Sequence, residues 1–381
     1  MKKSLLTVFI FSSLFLVSAG LGLIIFQKFF NQSTPLHLSD QEKEEITLPL
    51  LKYAITNLAN FEYRQGPIVI EKLMENQPNY DSYLFSYLSQ GKKITGQLNV
   101  PNQKTKGTII MIRGYVPLEI YTTGMGSKNA AAVLAKNGYL TLAPDFLGFG
   151  GSDIEPSDSW EARFIKPVNV IDLIKSIQAN NWQINTTILA TDAKNIQIED
   201  LQLEPGHLGI WAHSNGGQIA LTVLEALKEP IPTTLWAPVT VPFPYSVLFF
   251  SDEVEDEGKA MRKWLSLFEK DYNVFDFSLT QHLNLLTGKI QLHHGTNDEA
   301  ALVTWSEEFE DKIKVENKRR QDLSLELKTA TESNKIQQIQ AQILEPIELT
   351  FFSYPGADHN LQPVWDSVIQ KDLTFFEQNL K

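Results

Sequence analysis

Ser214 stands in the run Gly209-Ile210-Trp211-Ala212-His213-Ser214-Asn215-Gly216-Gly217-Gln218-Ile219-Ala220, a small-x-Ser-x-Gly pattern between an apolar strand and a helix. A strand that turns sharply into a helix holds such a serine in a strained backbone conformation with its Oγ exposed, and small neighbours prevent collisions. The helix N-terminus then brings the Asn215 N–H and the positive end of the helix dipole to where charge develops on an attacked carbonyl oxygen. The chemistry such a serine performs is acyl transfer. Alone the pattern is weak: at ordinary composition it arises by chance in roughly one chain in four of this length, and an N-cap serine reads the same way.

A serine nucleophile needs a base and a group that orients the base, and on a strand–helix scaffold these follow it in the order acid, then histidine. Leu292-His293-His294-Gly295-Thr296-Asn297-Asp298 ends one strand in a glycine-containing turn, which aims Asp298 across the sheet top. Tyr354-Pro355-Gly356-Ala357-Asp358-His359-Asn360 ends the last strand in the same way and supplies His359. Asp358 is the rival acid, but an adjacent side chain on a turn rarely reaches its neighbour's Nδ1. A turn-forming aspartate and a surface loop histidine are the ordinary alternatives for Asp298 and His359. His293 and His294 invite a metal, yet adjacent strand residues point to opposite faces and cannot chelate one ion, so no metal and no cofactor is expected. A second oxyanion donor is expected from the loop Arg113-Gly114-Tyr115-Val116-Pro117, with the Tyr115 N–H as candidate. Arg113 is placed either to share oxyanion charge or bind a substrate carboxylate, or to bridge to the loop containing Asp145.

The elements that must position these side chains follow from apolar periodicity. Pro67–Glu71, Ser82–Leu88 and Ile94–Val100 alternate like antiparallel edge strands. Thr108–Ile112, Tyr139–Ala143, Leu208–Ala212, Thr233–Ala237, Lys289–His293 and Ile347–Tyr354 are short apolar runs, as in strands buried on both faces. Between and after them Asn129–Asn137, Val168–Ala179, Gln218–Lys228 and Val364–Asn379 read as helices, which predicts a mostly parallel sheet covered on both sides. Residues 240–287 and 306–346 interrupt this rhythm. The first carries Phe243, Tyr245, Phe249, Phe250, Trp264 and Phe268, expected to wall the site or simply to pack. The second carries long helix-forming runs, Glu307–Leu327 and Lys335–Leu344.

At 381 residues, 43% hydrophobic and 20% charged, the chain has material for a substantial core. The net charge of -12 and the lack of a basic stripe exclude nucleic acid as partner. The absence of cysteine removes disulfides, thiolate metal sites and cysteine nucleophiles together. Lys2 and Lys3 precede an apolar run from Leu5 to Phe26, about 33 Å as a helix at about 1.5 Å per residue, long enough to cross a bilayer. An uncleaved transmembrane anchor over 1–30 is favoured over a signal peptide cut after Val17-Ser18-Ala19, because the run stays apolar beyond Ala19. Both readings place the remainder outside the cytoplasm. A polar connector with a short helix over 31–62, carrying Leu48, Leu51, Ile55 and Leu58, leads into a catalytic domain over 63–381.

Five motifs in order are collectively specific: Ile112-Arg113-Gly114-Tyr115; Pro144-Asp145-Phe146-Leu147-Gly148-Phe149-Gly150-Gly151-Ser152; His213-Ser214-Asn215-Gly216-Gly217; His294-Gly295-Thr296-Asn297-Asp298; and Tyr354-Pro355-Gly356-Ala357-Asp358-His359-Asn360. Over about residues 66–380 the chain resembles the prolyl-oligopeptidase-like branch of the α/β-hydrolases. The resemblance implies an α/β-hydrolase fold, a Ser214/Asp298/His359 triad, cofactor-free serine peptidase or esterase activity, and a structural role for His213. Three departures stand out. Ala212 replaces the usual first glycine of the elbow, Arg113 stands where the family has His or Tyr, and the segment before residue 66 holds no β-propeller to gate substrates by size. The 61 positions from Asp298 to His359 (359 − 298) exceed what the family needs and point to the helical insertion. The substrate is therefore expected to be a peptide, with a small ester as the alternative, and a catalytically silent binding module using 306–346 as the reading from a different class. Oligomeric state is not written in the sequence.

Overall fold

The computed structural model describes residues 47–185, 201–202, 204, 206–251 and 256–380. The expected N-terminal membrane segment lies outside them. Among the described residues, no helix is long and apolar enough to cross a membrane.

Ten strands form one sheet: β1 (Ile68–Asn76), β2 (Tyr80–Ser89), β3 (Lys92–Pro101), β4 (Gly107–Ile112), β5 (Tyr139–Pro144), β6 (Trp182–Ile184), β7 (Leu208–His213), β8 (Thr233–Trp236), β9 (Gly288–Gly295) and β10 (Ile347–Tyr354), in spatial order β10-β9-β8-β7-β4-β5-β3-β2-β1-β6. β1, β2 and β3 pair antiparallel, as their alternation predicts, and β3 joins β5 antiparallel. From β5 through β4, β7, β8 and β9 to β10 every pairing is parallel. All six residues of β4 and of β5 are buried, which is why these strands are unbroken apolar runs without alternation. The sheet edge differs from expectation: β6 adds to β1 in parallel. Its three residues are too few to display any period.

The helices are α1 (Ile55–Leu58), α2 (Lys128–Lys136), α3 (Ser159–Gln178), α4 (Asn215–Leu227), α5 (Tyr245–Ser251), α6 (Lys259–Phe268), α7 (Val303–Thr329), α8 (Ser333–Gln340) and α9 (Trp365–Asn379). Alternate residues of the central strands divide between two cores. Ile110, Ile112, Ile210 and Ala212 pack with α3 and α4, while Ile109, Met111 and Trp211 pack with α2 and α9. The sheet is thus covered on both faces.

Two helices begin earlier than their apolar pattern suggests. α3 starts nine residues before Val168, where Asp158 Oδ1 accepts the Glu161 N–H at 2.8 Å and caps it. Its first turns set Glu161, Arg163 and Lys166 among Trp160, Phe164 and Ile165, so polar and apolar residues alternate closely there. α4 starts at Asn215 rather than Gln218, directly on the nucleophile candidate.

The segment 240–287 folds as α5, α6 and short 3-10 turns, and most of its aromatics are spent on packing. Trp264 stacks on Trp160 of α3 at 3.8 Å between ring centroids, and Phe243 and Phe268 join Trp160, Phe164 and Phe277 around them. Phe249 packs edge-on against Trp305, whereas Tyr245 and Phe250 are exposed. In 306–346, α7 is longer than expected and α8 shorter. α7 is docked by Trp305, Phe309 and Ile313, and by Arg320, whose Nη2 donates to the Leu283 and Leu286 carbonyls.

Candidate active site

β4 has β5 on one side and β7 on the other, so the chain leaves it in opposite directions and opens a crevice at the carboxyl ends of these strands. Ser214 follows β7 at that crevice with φ 55° and ψ -124°, a region that costs a non-glycine residue roughly 1–3 kcal/mol. The turn is held by main-chain bonds: Ser214 N–H donates to Trp236 O at 2.9 Å, and Ser214 O accepts from Gly217 and Val239. The glycines are required by close approach. A Cβ on Gly216 would lie 2.2 Å from Ile112 O, and one on Gly217 would lie 2.5 Å from Pro238 Cβ. The Ala212 methyl, by contrast, is accommodated in the core.

The loop after β4 passes over the serine. A Cβ on Gly114 would sit 2.8 Å from Ser214 Cβ and 3.3 Å from Oγ, so this position tolerates only glycine while the loop keeps its course. Tyr115 follows, 78% exposed, and its N–H has no main-chain acceptor among the described residues. The Asn215 N–H is the first of the unsatisfied donors at the α4 N-terminus. Asp145 anchors the far end of the loop, accepting from Tyr121 Oη at 2.7 Å, Thr123 Oγ1 at 3.0 Å and Thr95 Oγ1 at 2.6 Å.

Arg113 is buried and makes no ion pair with the Asp145 carboxylate among the described residues. Its Nη1 donates to Gly114 O at 2.9 Å and its Nη2 to the Asp145 carbonyl at 3.0 Å, while the guanidinium lies against Tyr121, Phe146 and Phe149. Its Nε has no hydrogen-bond partner. The expected bridge to the Asp145 loop therefore takes the form of a main-chain clamp.

Asp298 and His359, 61 residues apart, meet: His359 Nδ1–H donates to Asp298 Oδ2 at 2.8 Å. The crossing of their loops explains Gly295, where a Cβ would lie 2.2 Å from Ala357 O and 2.7 Å from Asp358 O. Asp298 Oδ1 accepts the Ala300 and Ala301 N–H groups at 2.9 Å, and Oδ2 also accepts from His294 Nε2 at 3.1 Å. Burial alone would raise the Asp298 pKa. The hydrogen bonds from His294, His359 and the Ala301 N–H outweigh it and hold the carboxyl well below the usual carboxylate range. An ionised acceptor at Nδ1 fixes the His359 tautomer and leaves Nε2 free to take a proton.

Asp358 makes no hydrogen bond to His359 Nδ1; its Oδ1 accepts the Asn360 and Gln362 N–H groups and caps its own turn. His293 and His294 diverge as expected, His293 toward Tyr354 and Asp372, His294 toward Ser306 and Asp298. The described residues contain no cluster suited to a metal ion.

His213 links His359 to the end of β7. Its Nε2–H donates to the His359 carbonyl at 3.0 Å, and the two rings lie 4.8 Å apart. Burial, then the neighbouring His359, push the His213 pKa down to about 4, so the ring is neutral. His359 is thereby tied to the residue preceding Ser214. No hydrogen bond joins Ser214 Oγ to any described residue. Sequence reasoning missed His294 as the second donor to Asp298; its only signal is the i, i+4 spacing across the turn. It also missed Arg163 and Lys166, two cations in the first turns of α3.

No protein-family model matches the sequence, and no curated protein matches it. Solved structures do resemble the fold. An acetyl xylan esterase from Paenibacillus sp. R4 aligns at TM-score 0.53 and 12% identity, over 88% of this chain and 100% of that one. A putative dipeptidyl aminopeptidase IV from Bacteroides ovatus aligns at TM-score 0.51 and 13% identity, over 80% of this chain. The alignment spans 37% of the length of that protein. The chain has the α/β-hydrolase fold implied by its five motifs.

Proposed function

We propose that the chain is a serine hydrolase that cleaves an amide or ester through an acyl-enzyme, with Ser214 as nucleophile, His359 as general base and Asp298 as orienting acid. The observation that carries this reading is the 2.8 Å contact between His359 Nδ1 and Asp298, beside a serine strained at a strand-to-helix turn. His359 Nε2 removes the Ser214 proton as Oγ attacks the carbonyl, and Asp298 stabilises the imidazolium. The Asn215 and Tyr115 N–H groups receive the oxyanion. His359 then returns the proton to the leaving group, and water attacks the acyl-enzyme by the same route in reverse. The first proton transfer requires Ser214 Oγ to rotate toward His359 once a substrate fills the crevice, since catalytic hydrogen bonds often tighten only in the complex.

A prolyl-oligopeptidase-like serine peptidase is the first reading, supported by the order of the five motifs. A carboxylesterase is the second, supported by the fit of this chain to the whole length of an esterase fold. Profiling the full chain against peptide and ester libraries, beside Ser214→Ala, tests both: turnover abolished by the substitution is expected, and turnover that survives it rejects the mechanism. The proposal includes an N-terminal membrane anchor with the catalytic unit outside the cytoplasm, for which alkaline extraction of membranes expressing the chain is the check.

A further inference from the structure

Arg163 and Lys166 sit one helical turn apart on α3 and line a narrow cleft with Asn215 and Gln218 of α4. Its volume of about 50 Å³ admits a few waters or a carboxylate-sized group, and it excludes a second chain. Neither cation has a carboxylate partner among the described residues. Arg163 Nη2 meets only neutral oxygens, Gln218 Oε1 at 3.2 Å and Ser246 Oγ at 3.5 Å. The nearby acids are otherwise engaged: Glu161 holds Lys52 and the Tyr53 hydroxyl, and Asp158 caps α3. Glu155 acts on Lys166 through its charge, with no hydrogen bond or ion pair between them among the described residues.

Three physical effects oppose placing two cations here. They are partly buried, they repel each other across one helical turn, and they lie near the positive end of α3. Burial, then the charges of Arg163 and Arg113, push the Lys166 pKa down to about 8, and burial pushes Arg163 down to about 10. Asn215, the residue next to the nucleophile candidate, lines the end of the cleft toward the helix N-terminus.

We propose that this cleft seats a carboxylate of the substrate, so that the preferred substrates are esters or amides bearing an anionic group near the scissile carbonyl. The inference rests on the serine-hydrolase reading and names its substrate class. A carboxylate accepting from Arg163 and Lys166 makes charge-assisted hydrogen bonds, which predicts a preference of about 10- to 100-fold in kcat/KM over a neutral isostere.

The test uses the full chain with two pairs of substrates. The p-nitrophenyl half-ester of adipic acid against its terminal amide places the charge on the acyl side. A short peptide series ending in a free carboxylate against the same series ending in carboxamide places it on the leaving side. Wild type is expected to prefer the anionic member of one pair, and Arg163→Gln and Lys166→Gln to bring the ratio of kcat/KM between the two members toward one. Thermal melts verify folding, and Lys166→Gln carries the test if Arg163→Gln fails to fold. A ratio near one in both pairs overturns the inference, as does a preference that survives both substitutions. Calorimetric binding of adipate monoamide separates this failure from failure of the hydrolase reading. Binding that Arg163→Gln abolishes, in a chain that turns over nothing, keeps the cleft and removes the chemistry.

Discussion

Glu225 lies in α4, the helix whose first residue carries the proposed oxyanion donor, and its carboxyl is fully buried with neither oxygen hydrogen-bonded among the described residues. Burial raises its pKa well above the ordinary 4.5. The sign follows: the folded chain keeps this proton to higher pH than the unfolded chain. Stability is therefore lost as pH rises above 4.5, at about 1.36 kcal/mol per unit while the folded form stays protonated. Over the interval from 4.5 to pH 7 the loss reaches at most about 3.4 kcal/mol (2.5 × 1.36). Glu225→Gln removes the titration and leaves the unpaired polar atoms; Glu225→Met also removes those, worth roughly a further 1–3 kcal/mol. Urea denaturation of both variants against wild type from pH 5 to 8 is the assay. We expect Glu225→Met to be about 2–4 kcal/mol more stable at pH 7, with the gain of both variants shrinking toward pH 5 and hydrolysis unchanged. Differences from wild type are essential, because His213 titrates with the opposite slope. A gain independent of pH, or a loss of stability in Glu225→Met, refutes the reasoning.

Asp298→Asn turns an amide donor toward His359 Nδ1 and toward N–H groups that need an acceptor, so kcat should fall by about 10³–10⁴ with KM little changed, measured on whichever substrate the library profile identifies. Gly295→Ala forces the acid and base loops apart, because its Cβ would meet Ala357 O at 2.2 Å; steady-state kinetics should show kcat/KM down by about 10²-fold or more. His213 has its folded pKa depressed to about 4 from 6.5, so its contribution is present above pH 6.5 and lost as pH falls through about 4. Acid denaturation should be shallower over that window in His213→Gln, whose amide can still donate to the His359 carbonyl.

The parallel half of the sheet was legible because strands buried on both faces must be apolar throughout, and Thr108–Ile112 and Ile347–Tyr354 fall in β4 and β10. The pairing of Asp298 with His359 was legible for a different reason: the glycine-containing turns that follow their two strands end in these residues, and a third such turn carries Ser214. The start of α3 was not, since Glu161, Arg163 and Lys166 are interleaved there with Trp160 and Phe164, and the Asp158 cap marks its origin. Nor could the aromatics of 240–287 be assigned from sequence to wall or to packing. Their partners Trp160 and Phe164 lie about a hundred residues earlier, and only the folded chain brings Trp264 onto Trp160. The share of His294 in Asp298 likewise depends on a turn geometry that residue types do not encode.

The central claim is that the Ser214 hydroxyl is the attacking group. Reaction of the full chain with a fluorophosphonate, followed by proteolysis and tandem mass spectrometry, tests it most directly. We predict one stoichiometric phosphonyl adduct on the peptide containing Ser214, absent in Ser214→Ala and strongly slowed in His359→Gln. An unmodified Ser214 peptide beside retained hydrolytic activity, or an adduct on a different serine, contradicts the account.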